Sequence, residues 1–94
     1  MIVTYAITAQ EDLDAIRRWI ARDDPNRAIS FVRELQDRAD DLVRGPQRFP
    51  LIDEDRLPGI RRRNHRGYRI IYCVTEAEIT ILHVHHGRRG APAF

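Results

Sequence analysis

The stretch Tyr68-Arg69-Ile70-Ile71-Tyr72-Cys73-Val74-Thr75-Glu76-Ala77-Glu78-Ile79-Thr80-Ile81-Leu82-His83-Val84-His85-His86 decides the fold. It holds two runs of β-branched and aromatic residues on either side of a short turn at Glu76-Ala77, the pattern of an antiparallel hairpin with strands at Tyr68 to Thr75 and Ile79 to His86. The period of two in the first run sets Tyr68, Ile70, Tyr72 and Val74 on one face and Arg69, Ile71 and Cys73 on the other. A face that carries Arg69 is a poor partner for a helix. The first face is therefore expected to pack and the second to stay open.

Working outward, Ile60 to Asn64 reads as a further strand. Residues 45–59 (GPQRFPLIDEDRLPG) contain three prolines and two glycines and read as a loop. Before that loop the hydrophobic period is helical. Ala28, Phe31, Val32, Leu35, Ala39 and Leu42 form one stripe, opened by Asp24 as N-cap and Pro25 at the first helical position, and closed by Gly45-Pro46. Leu13, Ile16 and Ile20, flanked by Trp19, predict an earlier helix over about 9–22. Thr8-Ala9-Gln10-Glu11 matches a capping box at its start. Ile2 to Ile7 reads as a strand. The expected architecture is α+β: β-α-α-β-β-β in a single domain over 1–94, with an antiparallel sheet and a helical hairpin packed on one of its faces.

A chain of 94 residues buries about 60–65% of its unfolded surface, which leaves little surplus stability and suits a stabilising partner. No apolar run approaches the roughly 20 residues that a membrane-crossing helix needs. The N-terminus Met1-Ile2-Val3-Thr4-Tyr5 has no signal-like pattern, and the single cysteine, Cys73, cannot form an internal disulfide. A cytoplasmic protein is the expectation, with no membrane partner.

All sixteen basic residues are arginine. Residues 1–55 carry eight of them against twelve acids, a balance of −4, and residues 56–94 carry eight against two, a balance of +6. Codon preference could account for the missing lysines but not for the segregation. The basic half is expected to meet an anionic partner, either an acidic protein segment or nucleic acid. Its candidates are Arg61, Arg62, Arg63, Arg66, Arg69, Arg88 and Arg89. Strand alternation sends Arg61 and Arg63 to one side and Arg62 to the other.

Catalytic signals are sparse. His83 and His85 share a strand face, and His86 follows, but no cysteine or carboxylate stands at a metal-ligand spacing beside them, so neither a metal nor a cofactor is expected. Cys73 is expected to be buried in its strand. Ser30 lies in a helix rather than on a nucleophile elbow, and no glycine loop cradles phosphate. Asp53, Glu54 and Asp55 read as a solvated acidic turn.

The segments "PGIRR" (58–62), "GYRIIYCV" (67–74) and "ITILHVHHGRR" (79–89), with the strand and helical hairpin before them, resemble the ParE/RelE superfamily of toxins from type II toxin–antitoxin modules. The likeness covers nearly the whole chain. It implies a toxin silenced by a cognate antitoxin, whose acidic, amphipathic segment would fold on binding. RelE-like members are ribosome-dependent mRNA endonucleases. By resemblance, Arg69 and Arg89 match two of their arginines, Arg62 is the nearest counterpart to a basic residue on the preceding strand, and His83 or His86 would take the proton. Here the strand from Ile60 has no paired lysines, and the tail ends in Phe94 where those nucleases carry a tyrosine. The long helical hairpin and "HGRR" look closer to ParE, whose members are plasmid-stabilisation proteins that poison DNA gyrase without a catalytic residue. The resemblance then implies a ParD-like antitoxin as partner, gyrase as target, and Arg61, Arg63, Arg69, Arg88, Arg89 and Phe94 as the surface that meets target or antitoxin. Direct nucleic-acid binding stays open, as does a non-toxic form that keeps only its antitoxin.

Overall fold

Ala9, Leu13 and Ile16 recur at helical spacing and turn inward from α1 (Ile7–Ala21), while Ala28, Phe31, Leu35 and Ala39 do the same from α2 (Pro25–Asp40). Asp24 caps α2 by accepting from the Arg27 amide, with Pro25 at the first helical position as the sequence predicts. A 3₁₀ turn, Asp41–Arg44, extends α2 and buries Leu42 completely. The two helices lie against a sheet of four strands: β1 (Ile2–Tyr5), β2 (Ile60–His65), β3 (Tyr68–Val74) and β4 (Glu78–His86). The computed structural model describes residues 1–52 and 59–87.

The strand order is β1-β4-β3-β2. Pairings β2–β3 and β3–β4 are antiparallel, as expected, but β1 joins β4 in parallel, so the sheet is mixed. The reason is topological. The chain leaves β1 into the helical hairpin and returns across the face of the sheet before the last strand fills the position beside β1.

The core forms where the helix stripes meet Ile70, Tyr72, Ile79, Ile81 and Val84, with Tyr68 and Val74 packed at its edge. This is the face that alternation assigned to packing. Each aliphatic side chain buried there contributes on the order of 1.5–3 kcal/mol relative to exposure. The Tyr72 phenol donates to the Pro46 carbonyl at 2.6 Å, which anchors the start of the proline-rich loop. Cys73, expected to be buried, is only partly so, whereas Ile71 and His85 on the same face are buried, so the face expected to stay open is open only in part.

The capping box at Thr8 does not form. Ala6 alone connects β1 to α1: its amide bonds Ile81 and its carbonyl takes the Gln10 amide, so the helix starts as soon as the strand ends. Thr8 is already inside the first turn, and its hydroxyl donates instead to the Leu82 carbonyl at 2.6 Å. Leu82 is the bulged residue of β4, since Ile71 pairs with His83 while Tyr72 pairs with Ile81. One helical turn further on, Asp12 Oδ2 accepts from the Val84 amide and meets His83 Nδ1, both at 3.0 Å. Side chains of α1 thus take over the edge of β4 where β1 stops.

Candidate functional site

The β2–β3 connection is a two-residue turn, and both its residues, Arg66 (φ 50°) and Gly67 (φ 85°), have positive φ. Such a turn matches the right-handed twist of the strands it joins. It brings Gly67 beside the end of β4, where the Gly87 amide donates to the Gly67 carbonyl at 3.0 Å. Two side chains use the room that these glycines leave. A Cβ on Gly67 would sit 3.2 Å from His86 Nε2, and one on Gly87 would sit 3.1 Å from Arg69 Nε. Asn64, Gly67, Arg69, His86 and Gly87 line a hollow of about 450 Å³ at this end of the sheet.

The structure divides the arginines that the sequence grouped together. Arg61 and Arg63 pair across β3 with Tyr72 and Ile70, so they share the helix side. There, Arg61 donates to the Phe49 carbonyl at 2.7 Å and to that of Gln47. Arg63 donates to Asp41 and to the Arg38 carbonyl, both at 3.0 Å, and its guanidinium stacks over Phe49. Arg48 and Arg44 also meet Asp41. These hydrogen bonds and the neighbouring guanidinium charges hold the Asp41 carboxyl below its usual range, the Arg63 bond first among them. Arg61 and Arg63 therefore hold the chain together rather than joining Arg69 on one surface. Arg69 is on the other face with Arg62, whose register partner is Ile71. Arg66 turns back to Glu34, which also binds Arg27 at 2.6 Å and His65 at 3.0 Å. The bonds from Arg27 and His65, in that order, bring the Glu34 carboxyl down to about 2. Arg88, Arg89 and Phe94, like Asp53, Glu54 and Asp55, lie outside the described residues.

The histidines also separate. His83 and His85 face Ile71 and Arg69 in the register, the shared face that alternation predicts. His83 is oriented by Asp12, whereas burial lowers the basicity of His85. His86 stands on the helix side, edge-on to Tyr68 with ring centroids 5.0 Å apart. Among the described residues, no three side chains of His, Cys, Asp or Glu come together as a metal site.

Four residues of this constellation escaped the sequence reading. Asp12, Glu34 and Asp41 are ordinary helix-surface acids until the sheet docks beside them. His65 carries no motif, yet it stacks on Phe31 at 6.1 Å and ties the hairpin tip to α2. Only the helical phase of Asp12 and Glu34, near the edges of the apolar stripes, could have hinted at them.

Comparison with known proteins gives a consistent answer. The fold is similar to that in a chromosomal ParDE toxin–antitoxin system from P. aeruginosa, with 21% identity over 92% of this chain and 95% of that one, and a TM-score of 0.76. It is also similar to a chain of the toxin–antitoxin complex RelBE2 from Mycobacterium tuberculosis, with 24% identity, 90% and 95% coverage and a TM-score of 0.69. A YoeB/ParE toxin from Agrobacterium tumefaciens follows at 16% identity, 92% and 98% coverage and 0.66. At such identities the likeness establishes the fold. No curated protein matches the sequence. The family model for the ParE toxin of type II toxin–antitoxin systems matches residues 3–90. With that match spanning strand, helical hairpin and sheet alike, the chain belongs to the ParE toxin family of type II toxin–antitoxin systems.

Proposed function

We propose that the chain is a binding toxin that inhibits DNA gyrase, acts in the cytoplasm and is silenced by a ParD-like antitoxin. The observation that carries this reading is the setting of Arg69. Its guanidinium lies against the Gly87 backbone on the face away from the helices, beside the start of the C-terminal segment, with Arg62 on the neighbouring strand. A guanidinium held there suits a carboxylate or phosphate on a partner surface. The rest of the described basic strand residues that the sequence nominated, Arg61 and Arg63, are engaged internally, which favours a contact surface over a cluster of cations around a scissile phosphate. The match to the ParE family model points the same way. Arg88, Arg89 and Phe94 complete the proposed contact surface.

A second reading, a ribosome-dependent mRNA interferase, draws on one feature. Asp12 orients His83 on the strand face that also bears Arg69, an arrangement that could serve proton transfer beside a bound phosphate. Pulse labelling of DNA and protein synthesis just after the chain is induced alone separates the two. An early fall in thymidine incorporation with methionine incorporation sustained is the expected result. An early collapse of methionine incorporation would give the site to the nuclease reading, and sustained incorporation of both would mark a form without toxicity. Inhibition of purified gyrase in a supercoiling assay is the direct check.

A further inference from the structure

Glu34 stands on α2 and is not among the residues that line the Arg69 hollow, yet its carboxylate grips the hairpin that carries Arg69. Its Oε1 meets His65 Nε2 at 3.0 Å and pairs with Arg66 Nε at 3.2 Å, while its Oε2 accepts from Arg27 at 2.6 Å. Arg27 in turn lies over the Phe31 ring at 5.0 Å. Phe31 receives both His65 and Tyr68, with ring centroids 6.1 and 5.2 Å away. The strand register pairs His65 with Tyr68 and, one step further along, Asn64 with Arg69. Alternation sets the first pair on the helix side and the second on the other face. One pair is therefore held by α2 while the next lines the hollow.

The two ends of β2 are secured by different means. Segment 50–52 covers its outer edge at Ile60, Arg61 and Arg62, the end far from the turn. Nearer the turn, the Gly87 amide holds the Gly67 carbonyl from the β4 side, and the Glu34 cluster holds His65 and Arg66 from α2. The fit at that end is close, since a Cβ on Gly87 would already come within 3.1 Å of Arg69 Nε.

We infer that Glu34 is a positioning residue for Arg69: by gripping His65 and Arg66 it fixes the hairpin tip, and with it the aim of the guanidinium on the opposite face. This rests on the preceding reading, in which Arg69 contacts the target, and adds a residue that governs the contact without sharing in it. Partly exposed ion pairs contribute little to stability, so losing the Glu34 charge changes geometry more than melting. Without that charge the tip is freed from α2, and Asn64 and Arg69 shift with it because the ladder ties them to the same turn. A guanidinium fork is sensitive to such a shift, since its donors must meet a partner's oxygens in one plane.

Purified toxin variants are compared in a gyrase supercoiling assay, and hydrogen exchange of the Gly87 amide is followed by NMR on the same proteins. Glu34→Gln keeps the size of the side chain and removes its charge. It raises the half-inhibitory concentration about tenfold and speeds Gly87 exchange several-fold, with the circular dichroism spectrum unchanged. Arg66→Gln, on the exposed turn, moves both readouts the same way by less. Asp14→Asn removes comparable ion pairs to Arg17 and Arg18 on α1 and moves neither. In an Arg69→Lys background, which keeps the charge and loses the fork, Glu34→Gln adds less than about twofold, because the orientation it protects is no longer read. If Glu34→Gln inhibits gyrase as wild type does, or if its loss carries over in full to the Arg69→Lys background, the positioning role is overturned while the gyrase reading stands. If wild-type toxin leaves gyrase untouched, the gyrase reading falls. Gly87 exchange then decides the positioning role alone, with faster exchange in Glu34→Gln upholding it and unchanged exchange overturning it.

Discussion

Arg62 and Arg63 are neighbours on β2 and face opposite worlds. Arg63 turns to the helix side, where Asp41, the Arg38 carbonyl and the Phe49 ring surround its guanidinium, leaving 15% of the side chain exposed. Arg62 turns to the open face beside Ile71, diagonal to Arg69. The contrast teaches that arginine count says little about arginine function. On one face a guanidinium satisfies carbonyls that irregular chain leaves over at the end of α2 and in the 45–52 loop, and its loss orphans them. On the other face Arg62 and Arg69 are half-buried beside the buried Ile71.

The sharpest break of this contrast is Arg69→Glu. Toxicity on induction should fall at least about 100-fold, the size expected when an attractive contact becomes a repulsive one, while the melting temperature stays near that of wild type. A folded Arg69→Glu chain that kills normally would remove the open face from the proposed function. Arg63→Ala tests the other side. Its melting temperature should drop by several degrees, whereas Arg62→Ala, outside the Asp41 and Phe49 cluster, should lower it less. Equal melting curves for the two variants would erase the distinction between the faces.

Smaller effects sharpen it further. Tyr72→Phe removes the hydrogen bond to the Pro46 carbonyl inside the packed face and should cost about 1 kcal/mol, or roughly 4–8 °C in a domain of this size. Thermal denaturation followed by circular dichroism measures it. The smallest effect concerns Glu34, whose carboxyl is held down to about 2, first by the Arg27 hydrogen bond and then by that of His65. A carboxyl depressed in the folded state stabilises above its ordinary value of about 4.3, and that contribution fades as pH falls toward about 2. The melting-temperature gap between wild type and Glu34→Gln should therefore be a few degrees at most at pH 6 and close between about pH 5 and pH 2. A gap that widened on acidification would contradict the assignment.

The elements themselves were legible in the chain. The stripe from Ala28 to Leu42, the Asp24-Pro25 start and the alternation from Tyr68 to Val74 each carry a local signature, and each appears where its residues predict. The capping box was also legible and was overridden, because a one-residue connection left Thr8 no room to act as a cap and offered it the Leu82 carbonyl instead. In the candidate site, Arg69 and His86 are nominated by type and by family resemblance. Their partners Asn64, Gly67 and Gly87 became visible only once the hairpin turn had closed on the end of β4.

What the sequence determined by itself is whatever repeats with a period: two helices, the polarity of two of the three strand pairings, the face that packs against the helices and the face that carries Arg69, because hydrophobic spacing of 3.6 or 2 needs no distant contact to be read. What only the tertiary structure decided is which charge meets which. Asp12 reaches His83 across 71 positions and Asp41 meets Arg63 across 22. The parallel seat of β1, the bulge at Leu82 and the division of the arginines between scaffold and surface follow from the same cause. Contacts so remote in the chain are set by how the helices cross the sheet, and nothing in local residue order encodes a pairing between groups that become neighbours only after folding.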